Sequence, residues 1–97
     1  MYKDHNYYVY IMMSISGVLY IGVTNSLRRR ITEHKNGLVD GFTKTYQCKK
    51  IVYFEQYSVI DDAIRREKQL KNWRREWKIN LIKEKNRYFD DLSVGWN

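Results

Sequence analysis

Glu67 is the residue whose type and position most clearly suggest chemistry. Apolar residues flank it at the spacing of one helical face: Ile60, Ala63, Ile64 and Leu70. A helix through this segment therefore places a carboxylate in the middle of an apolar face, where an unpaired charge costs several kcal/mol. Two interpretations remain open. Glu67 binds a cation beside a cleft, or it turns outward and pairs with Lys71, an interaction of about 0.2–0.5 kcal/mol.

A second polar pair lies on the inner face of a shorter predicted helix. Arg30 falls between Leu27 and Ile31, and His34 follows one turn later. As functional groups, Arg30 would bind a phosphate through its forked guanidinium, and His34 would carry a proton or make a second phosphate contact. In the structural alternative, the Arg30 stem lies along the edge of the core and His34 stabilises the helix C-terminus through the macrodipole.

Positive charge is the third chemical signal. The chain has 18 Lys and Arg against 11 Asp and Glu, a net charge of +7, which favours polyanionic partners. Seven of the basic residues lie between Arg65 and Lys78, interleaved with Trp73 and Trp77. Either a solvated helix surface or a surface that binds a phosphate backbone accounts for this density.

Composition excludes several classes of protein. Ninety-seven residues, 43% of them apolar and none of them Pro, fit one packed domain over residues 1–97. The single Cys48 cannot form an intrachain disulfide, and no Cys/His cluster has zinc-ligand spacing. The longest apolar run, residues 7–13, is too short for a membrane span or for a signal-peptide core with its cleavage site. We therefore expect a cytoplasmic protein with no membrane partner.

Two strands are expected to position the first aromatic residues. Residues 7–13 and 18–23 are rich in β-branched and aromatic residues on either side of a Ser/Gly turn, a pattern that predicts a β-hairpin. Because strand side chains alternate, Tyr10, Tyr20 and Gly22 fall on the face away from the aliphatic residues. A turn centred near Ile15 places Tyr10 directly opposite Tyr20.

Helices follow the hairpin. A helix is expected over residues 27–36, with N-cap candidates at 24–26 and Gly37 at its end. A polar loop to about residue 48 and a third strand over 51–56 come next. The S-x-x-D pattern at 58–61 predicts the start of a long helical region, which is one helix or two with a bend near Asn72. The tail from Asn86 has enough apolar residues to pack back on the domain.

In chain order, these pieces resemble the GIY-YIG nuclease superfamily. Tyr8-Val9-Tyr10 stands where that family has Gly-Ile-Tyr, and Tyr20-Ile21-Gly22 matches its second signature. Residues 25–30 with His34 resemble its first-helix motif, and residues 63–71 resemble the segment that carries its metal-binding glutamate. The resemblance covers about residues 7–91 and points to short stand-alone members related to the amino-terminal nuclease domain of the bacterial excision-repair endonuclease. Two departures are Tyr8, in place of the first glycine, and Asn86-Arg87, where short members often have Asn-Pro.

The resemblance implies an α/β (α+β) fold, a small sandwich in which helices flank a three-stranded, largely antiparallel sheet in the order ββαβα(α). It implies a metal-dependent endonuclease that hydrolyses phosphodiester bonds in nucleic acid, with DNA expected, in repair, recombination or a mobile element. The implied catalytic residues are Tyr10, Tyr20, Arg30, His34 and Glu67. Glu67 would hold one Mg²⁺ or Mn²⁺, no small-molecule cofactor is expected, and Asn86 is a candidate for supporting the site.

Each residue has an expected role in such a nuclease. Arg30 would clamp the nonbridging phosphate oxygens, and His34 would relay a proton or bind phosphate. Tyr20, with Tyr10 beside it, would orient or deprotonate the attacking water. A free phenol has a pKa near 10, so that role requires cationic neighbours that lower the pKa. Nucleic-acid contacts are expected from the basic residues Arg28, Arg29, Lys35, Lys44, Arg65, Arg66, Lys68, Lys71, Arg74 and Arg75.

Two other functions compete with this one. A basic nucleic-acid-binding module without turnover would use the charged helix, with Trp73 and Trp77 stacking on bases. It accounts for the charge but leaves the inward position of Glu67 unexplained. A protein-interaction adaptor uses neither feature.

Overall fold

The computed structural model of the protein describes residues 6–39 and 41–96. The elements in chain order are β1 (Tyr7–Met13), β2 (Leu19–Thr24), α1 (Leu27–Lys35), α2 (Gly41–Tyr46), β3 (Lys50–Tyr57), α3 (Ile60–Asn72) and α4 (Arg75–Lys85). The central strand β1 pairs antiparallel with β2 on one side and with β3 on the other. The predicted α+β sandwich is confirmed.

Two cores lie on opposite faces of the sheet because side chains alternate along each strand. On the face covered by α3 and α4, the buried residues are Val9, Ile11, Met13, Ile21, Val52, Tyr53, Ala63, Leu70 and Ile82. On the face covered by α1, they are Tyr10, Met12, Leu27, Ile31, Cys48 and Ile51. The sheet therefore separates the residues that α1 buries from those that α3 and α4 bury.

The hairpin register differs from the prediction. Tyr10 pairs with Gly22, and Met12 pairs with Tyr20. The turn is centred one residue later than expected, because Ser14 N–H donates to the Val18 carbonyl at 2.9 Å. Each residue of β1 therefore faces a partner two residues further along, and a two-residue shift keeps every side chain on its predicted face. Tyr10 and Tyr20 remain neighbours.

One helix prediction needs correction. The region expected to be a polar loop contains α2, whose six residues are too few to show helical periodicity. The start of α3 at Ile60 confirms the S-x-x-D prediction for 58–61, although the N-cap is Val59 and no side chain caps the helix. Helix α1 ends as expected, since Asn36 is its C-cap and Gly37 follows with φ of 70°.

The long helical region is two helices. Trp73 and Arg74 between them are extended, with ψ of 150° at both. Only part of the predicted apolar face is buried. Ala63 and Leu70 are fully buried, whereas three members of that face are substantially exposed: Ile60 (38%), Ile64 (37%) and Trp77 (48%).

The C-terminal tail packs on β3, as expected. Asn86 Nδ2 donates to the Val52 carbonyl at 3.0 Å, and Asn86 Oδ1 accepts from Asp90 N–H at 3.0 Å. Leu92 N–H donates to the Ile51 carbonyl at 2.9 Å. Asn86 therefore joins the tail to the sheet. No helix within residues 6–39 and 41–96 has the length and apolar character needed to cross a membrane.

Candidate active site

Tyr10 is the centre of a polar cluster on the α1 face of the sheet. Its hydroxyl lies 2.9 Å from His34 Nε2 and accepts a hydrogen bond from Arg30 Nε at 3.3 Å. The Tyr20 ring lies 6.2 Å from the Tyr10 ring and 5.2 Å from the His34 ring, measured between centroids. Four of the five residues assigned to catalysis thus meet here, because the short connection between β2 and α1 brings the helix over the strands.

The Tyr10 ring passes directly over Gly22. A Cβ at Gly22 would lie 2.5 Å from Tyr10 Oη and 2.7 Å from Cζ, closer than nonbonded carbon and oxygen atoms approach. Tyr10 is fully buried, so its ring has little space to move aside. Only glycine at position 22 allows the phenol to cross β2 and reach α1.

Burial changes the expected role of Tyr10. Burial raises the pKa of this phenol well above its ordinary value, although the hydrogen bond from Arg30 acts in the opposite direction. A phenol that takes a proton from water needs a lowered pKa, so this environment does not favour Tyr10 as a base. Tyr10 instead positions Arg30 and His34. Tyr20 is only half-buried and remains the phenol that faces the site.

His34 is neutral in this environment. It is 2% exposed, and burial, followed by the nearby charge of Arg30, lowers its pKa to about 4. A lowered pKa does not favour the alternative in which a cationic His34 stabilises the helix end. Its Nδ1 is buried, and within the described part of the chain it has no hydrogen-bond partner.

Arg30 faces open space. Its side chain is 35% exposed, and its Nη1 lies 3.3 Å from Glu33 Oε1. The hydrogen bond to Tyr10 raises the pKa of Arg30 further, so the guanidinium stays charged. A cleft of about 330 Å³ lies beside it, lined by Tyr7, Val23, Thr24, Asn25, Arg29, Arg30 and Ile60. Glu33, which the sequence reasoning did not select, is a partner of Arg30 at i+3 spacing.

Comparison with known families decides how this cluster is interpreted. A model of the GIY-YIG catalytic domain matches residues 6–80. The chain belongs to the GIY-YIG family. Membership of this nuclease family implies that the substrate is a nucleic acid.

Small bacterial members of the GIY-YIG family are similar over nearly their whole length. The UPF0213 protein SSP2268 of Staphylococcus saprophyticus is 33% identical over 78 residues, covering 80% of this chain and 95% of that protein. A UPF0213 protein of Staphylococcus aureus strain Mu3 is 32% identical over 80 residues, covering 82% and 98%. The solution NMR structure of the UPF0213 protein BH0048 from Bacillus halodurans superposes with a TM-score of 0.58 at 26% identity, covering 95% of this chain and 99% of that one.

Glu67 lies seven residues after Ile60, which lines the same cleft as Arg30. It is on α3, which covers the face of the sheet opposite α1. Its side chain is 20% exposed, and Oε2 lies 3.4 Å from Lys71 Nζ. The carboxylate is thus both partly buried and paired, so each of the two sequence interpretations describes part of the arrangement.

The surroundings of Glu67 bear on metal binding. Across the described residues, no three His, Cys, Asp or Glu side chains are grouped as ligands. Mg²⁺ commonly keeps several waters and takes one or two carboxylates together with substrate phosphates. Glu67 supplies a single carboxylate. Its partner Lys71 is 53% exposed, so the ion pair is weak and the carboxylate fits such an ion.

Two basic residues assigned to phosphate binding have other partners. Arg66 makes a two-pronged contact with Glu55, with Nε to Oε1 and Nη2 to Oε2 both at 2.9 Å. Lys35 Nζ lies 2.5 Å from Asp91 Oδ2. We therefore assign both to stabilising the fold. The other exposed basic residues that were expected to contact nucleic acid are Arg28, Arg29, Arg65, Lys68, Lys71, Arg74 and Arg75. The side chain of Lys44, a residue of α2, lies outside the described part of the chain.

Asn86 and Glu55 make structural contacts outside the Tyr10 cluster. Asn86 bonds the tail and β3, as described above, and so supports the fold rather than the Tyr10 cluster. The sequence predictions did not include Glu55, although its neighbours in the sequence indicated it. Tyr53 and Tyr57 flank it at i±2 and therefore share its face of β3, and both phenols donate to its carboxylate.

Proposed function

We propose that the chain is a metal-dependent endonuclease that hydrolyses phosphodiester bonds in nucleic acid, with DNA as its substrate. One observation carries the proposal: the buried Tyr10 hydroxyl holds Arg30 Nε at 3.3 Å and His34 Nε2 at 2.9 Å beside an open cleft. A non-catalytic phosphate-binding surface would not need a buried hydroxyl that orients a charged group in this way.

Arg30 is suited to the charge that develops during phosphodiester hydrolysis. Its Nε is occupied by Tyr10, so the outer nitrogens of the fixed guanidinium point to the cleft or to Glu33. A phosphate that enters the cleft replaces Glu33 and receives a charge-assisted pair of hydrogen bonds. Because the donors are already oriented, they stabilise charge on the nonbridging oxygens at little reorganisation cost.

The orphaned nitrogen of His34 indicates how the protons are arranged. A buried N–H without a partner is rarer than a buried acceptor without one, so we place the proton on Nε2, where it donates to Tyr10. The Tyr10 hydroxyl then accepts from Arg30 and His34 and donates its own proton to Tyr20, with which it interacts. Tyr20, as acceptor of that hydrogen bond, orients the attacking water.

Glu67 would hold the divalent ion, Mg²⁺ or Mn²⁺. When bound, such an ion supplies Lewis-acid stabilisation of the phosphate and of the leaving oxygen. The residues of this chain contribute one carboxylate, and Lys71 leaves the pair at small cost because an exposed ion pair is worth about 0–1 kcal/mol. Ile60 of α3 and Arg30 of α1 line the same cleft, so the proposal places the substrate between these two helices.

The test is a cleavage assay with matched arginine variants. Linear, single-stranded, flapped and branched DNA are incubated with and without Mg²⁺ or Mn²⁺. Wild-type protein should cleave at least one of them only with metal, and Arg30→Ala should lose cleavage while keeping most of its binding. Arg29→Ala is the control, because Arg29 is exposed and contacts Asn25 rather than Tyr10. Binding of all substrates without cleavage of any would favour the non-catalytic binding module instead.

A further inference from the structure

We infer that the corner between α3 and α4 binds an unpaired segment of a nucleic-acid strand, with one base stacked on Trp77. The inference rests on the proposed function only for the nature of the substrate. It adds a substrate class, namely nucleic acid with a single-stranded region, and a surface that the Tyr10 cluster does not include.

The corner presents an aromatic surface to solvent. Trp77 is 48% exposed, and Trp73 packs edge-on against it, with centroids 6.1 Å apart and planes at 83°. The extended backbone at Trp73 and Arg74 ends one helix and begins the next, so Trp77 lies in the first turn of α4, next to this corner. A half-exposed indole offers part of its π-surface to solvent, and every nucleobase can stack on such a surface.

A cationic group lies over this indole, and others are close to it in the sequence. The Arg74 guanidinium carbon lies 5.6 Å from the Trp77 ring centroid, and an adjoining cleft of about 560 Å³ is lined by Arg74, Arg75, Glu76, Ile79 and Asn80. Residues 65–78 carry seven Lys and Arg against two Glu. An apolar platform inside such an excess of positive charge suits a stacked base with its phosphates on either side.

The stacking geometry selects single strands. In a duplex, the faces of the bases are covered by their neighbours, and only the base edges are accessible in the grooves. An indole therefore contacts a base face only where the strand is unpaired.

The corner also lies at a defined distance from the Arg30 cleft. Arg75 Nη2 would be 3.1 Å from a Cβ at Gly17, which places the corner beside the turn that precedes β2. The cleft is lined by Val23 and Thr24, at the other end of β2. Six residues of strand separate the two by about 17 Å. We therefore expect cleavage at a fixed distance from the junction between single and double strand.

The test compares binding to single-stranded and blunt duplex oligonucleotides of the same sequence by fluorescence anisotropy, without metal, so that no cleavage occurs. Trp77→Ala should weaken single-strand binding by roughly tenfold, within the range for one stacked base, and should change duplex binding less than twofold. Trp77→Phe should keep most of the affinity. Tyr88→Ala is the control, since Tyr88 is 76% exposed with Arg87 5.7 Å from its ring centroid, and this change should alter neither affinity more than twofold.

Salt dependence separates stacking from charge. Trp77→Ala should leave the slope of log K against log salt unchanged, whereas Arg74→Ala should reduce its magnitude by about 0.7 on single strands. An unchanged single-strand affinity in Trp77→Ala, or an equal loss on single and double strands, would overturn the inference. Selective single-strand binding by a protein that cleaves nothing would instead refute the nuclease and leave this surface intact.

Discussion

Tyr10 Oη and His34 Nε2 lie 2.9 Å apart although 24 residues separate them in the chain. The contact joins the central strand to α1 through a hydroxyl that is fully buried. Because Arg30 donates to the same oxygen, a displacement of the Tyr10 ring disturbs both partners together. The first two predictions follow from this arrangement.

Gly22→Ala should disrupt the cluster. The new Cβ would lie 2.5 Å from Tyr10 Oη, and a fully buried ring has little room to yield, so overpacking should cost about 1–3 kcal/mol. Cleavage should fall more than binding, because the ring that orients Arg30 is moved. Urea unfolding and single-turnover cleavage measure the two effects. Gly95→Ala is the control. Its Cβ would meet no atom within 4 Å, and the φ of 88° at Gly95 means that the change strains the backbone alone. The turnover of this variant should equal that of wild type.

His34 should make stability depend on pH. Its folded pKa of about 4 is below the ordinary value near 6.5, so between these pH values the unfolded chain binds more protons. Stability should therefore fall as pH decreases from about 6.5 to about 4. His34→Gln should lack this component in urea titrations at a series of pH values. An NMR titration in which His34 changes protonation near pH 6.5 would contradict the prediction.

Glu67→Gln tests the proposed metal ligand. The amide keeps the shape of the side chain but removes the charge that a hard divalent ion requires, so metal-dependent cleavage should fall at least a hundredfold and Mn²⁺ affinity should drop. The fold should survive, since the lost pair with Lys71 is worth about 0–1 kcal/mol. Glu84→Gln, at an exposed position of α4, is the control. Normal turnover and Mn²⁺ binding in Glu67→Gln would remove this residue from the mechanism.

Glu55→Gln should destabilise the fold without affecting cleavage directly. The change weakens a carboxylate that receives hydrogen bonds from Arg66, Tyr53 and Tyr57, and leaves the Arg66 charge, 21% exposed, without its counter-ion. We expect a loss of about 1–3 kcal/mol in the free energy of unfolding at pH 7. The exposed Glu84→Gln should lose less than about 0.5 kcal/mol.

The loss of stability in Glu55→Gln should depend on pH. Burial alone would raise the pKa of Glu55, but the hydrogen bonds, with that of Arg66 foremost, lower it on balance. A carboxyl group whose pKa is lowered by folding stabilises the fold at pH values above its unfolded pKa, which is near 4.3. This stabilisation is lost as the pH falls through the folded pKa. The difference between wild type and Glu55→Gln should therefore shrink below about pH 4. A difference that stays constant to pH 3 would mean that packing, not the charge, explains the loss.

Local periodicity was sufficient to predict which side chains share a face in much of this protein. Alternation along the strands placed Tyr10, Tyr20 and Gly22 on one face, and an error in the turn did not change that face because the strand period is two residues. The inner stripe of α1 placed Arg30 and His34 correctly, since i to i+4 spacing holds in any regular helix. Gly37 ended that helix as expected.

Helix boundaries depended on tertiary contacts. The break at Trp73 and Arg74 contains neither Gly nor Pro, so no local signal marked it beyond a tolerated Asn72. The exposure of Trp77 follows from that break, because the second helix turns its indole away from the face that Leu70 buries. A continuous stripe in the sequence therefore became two separate faces.

Partners and pKa values were decided by the fold alone. Arg66 is one of several basic residues in its segment, and only the packing of α3 beside β3 brings it to Glu55, eleven residues away. The direction of the Tyr10 pKa shift was likewise beyond the sequence, which predicts that a phenol and an arginine meet but not how completely the phenol is buried. The sequence determines which side chains share a face. The distances and dielectric surroundings that set charge, pairing and reactivity arise only when the faces pack together.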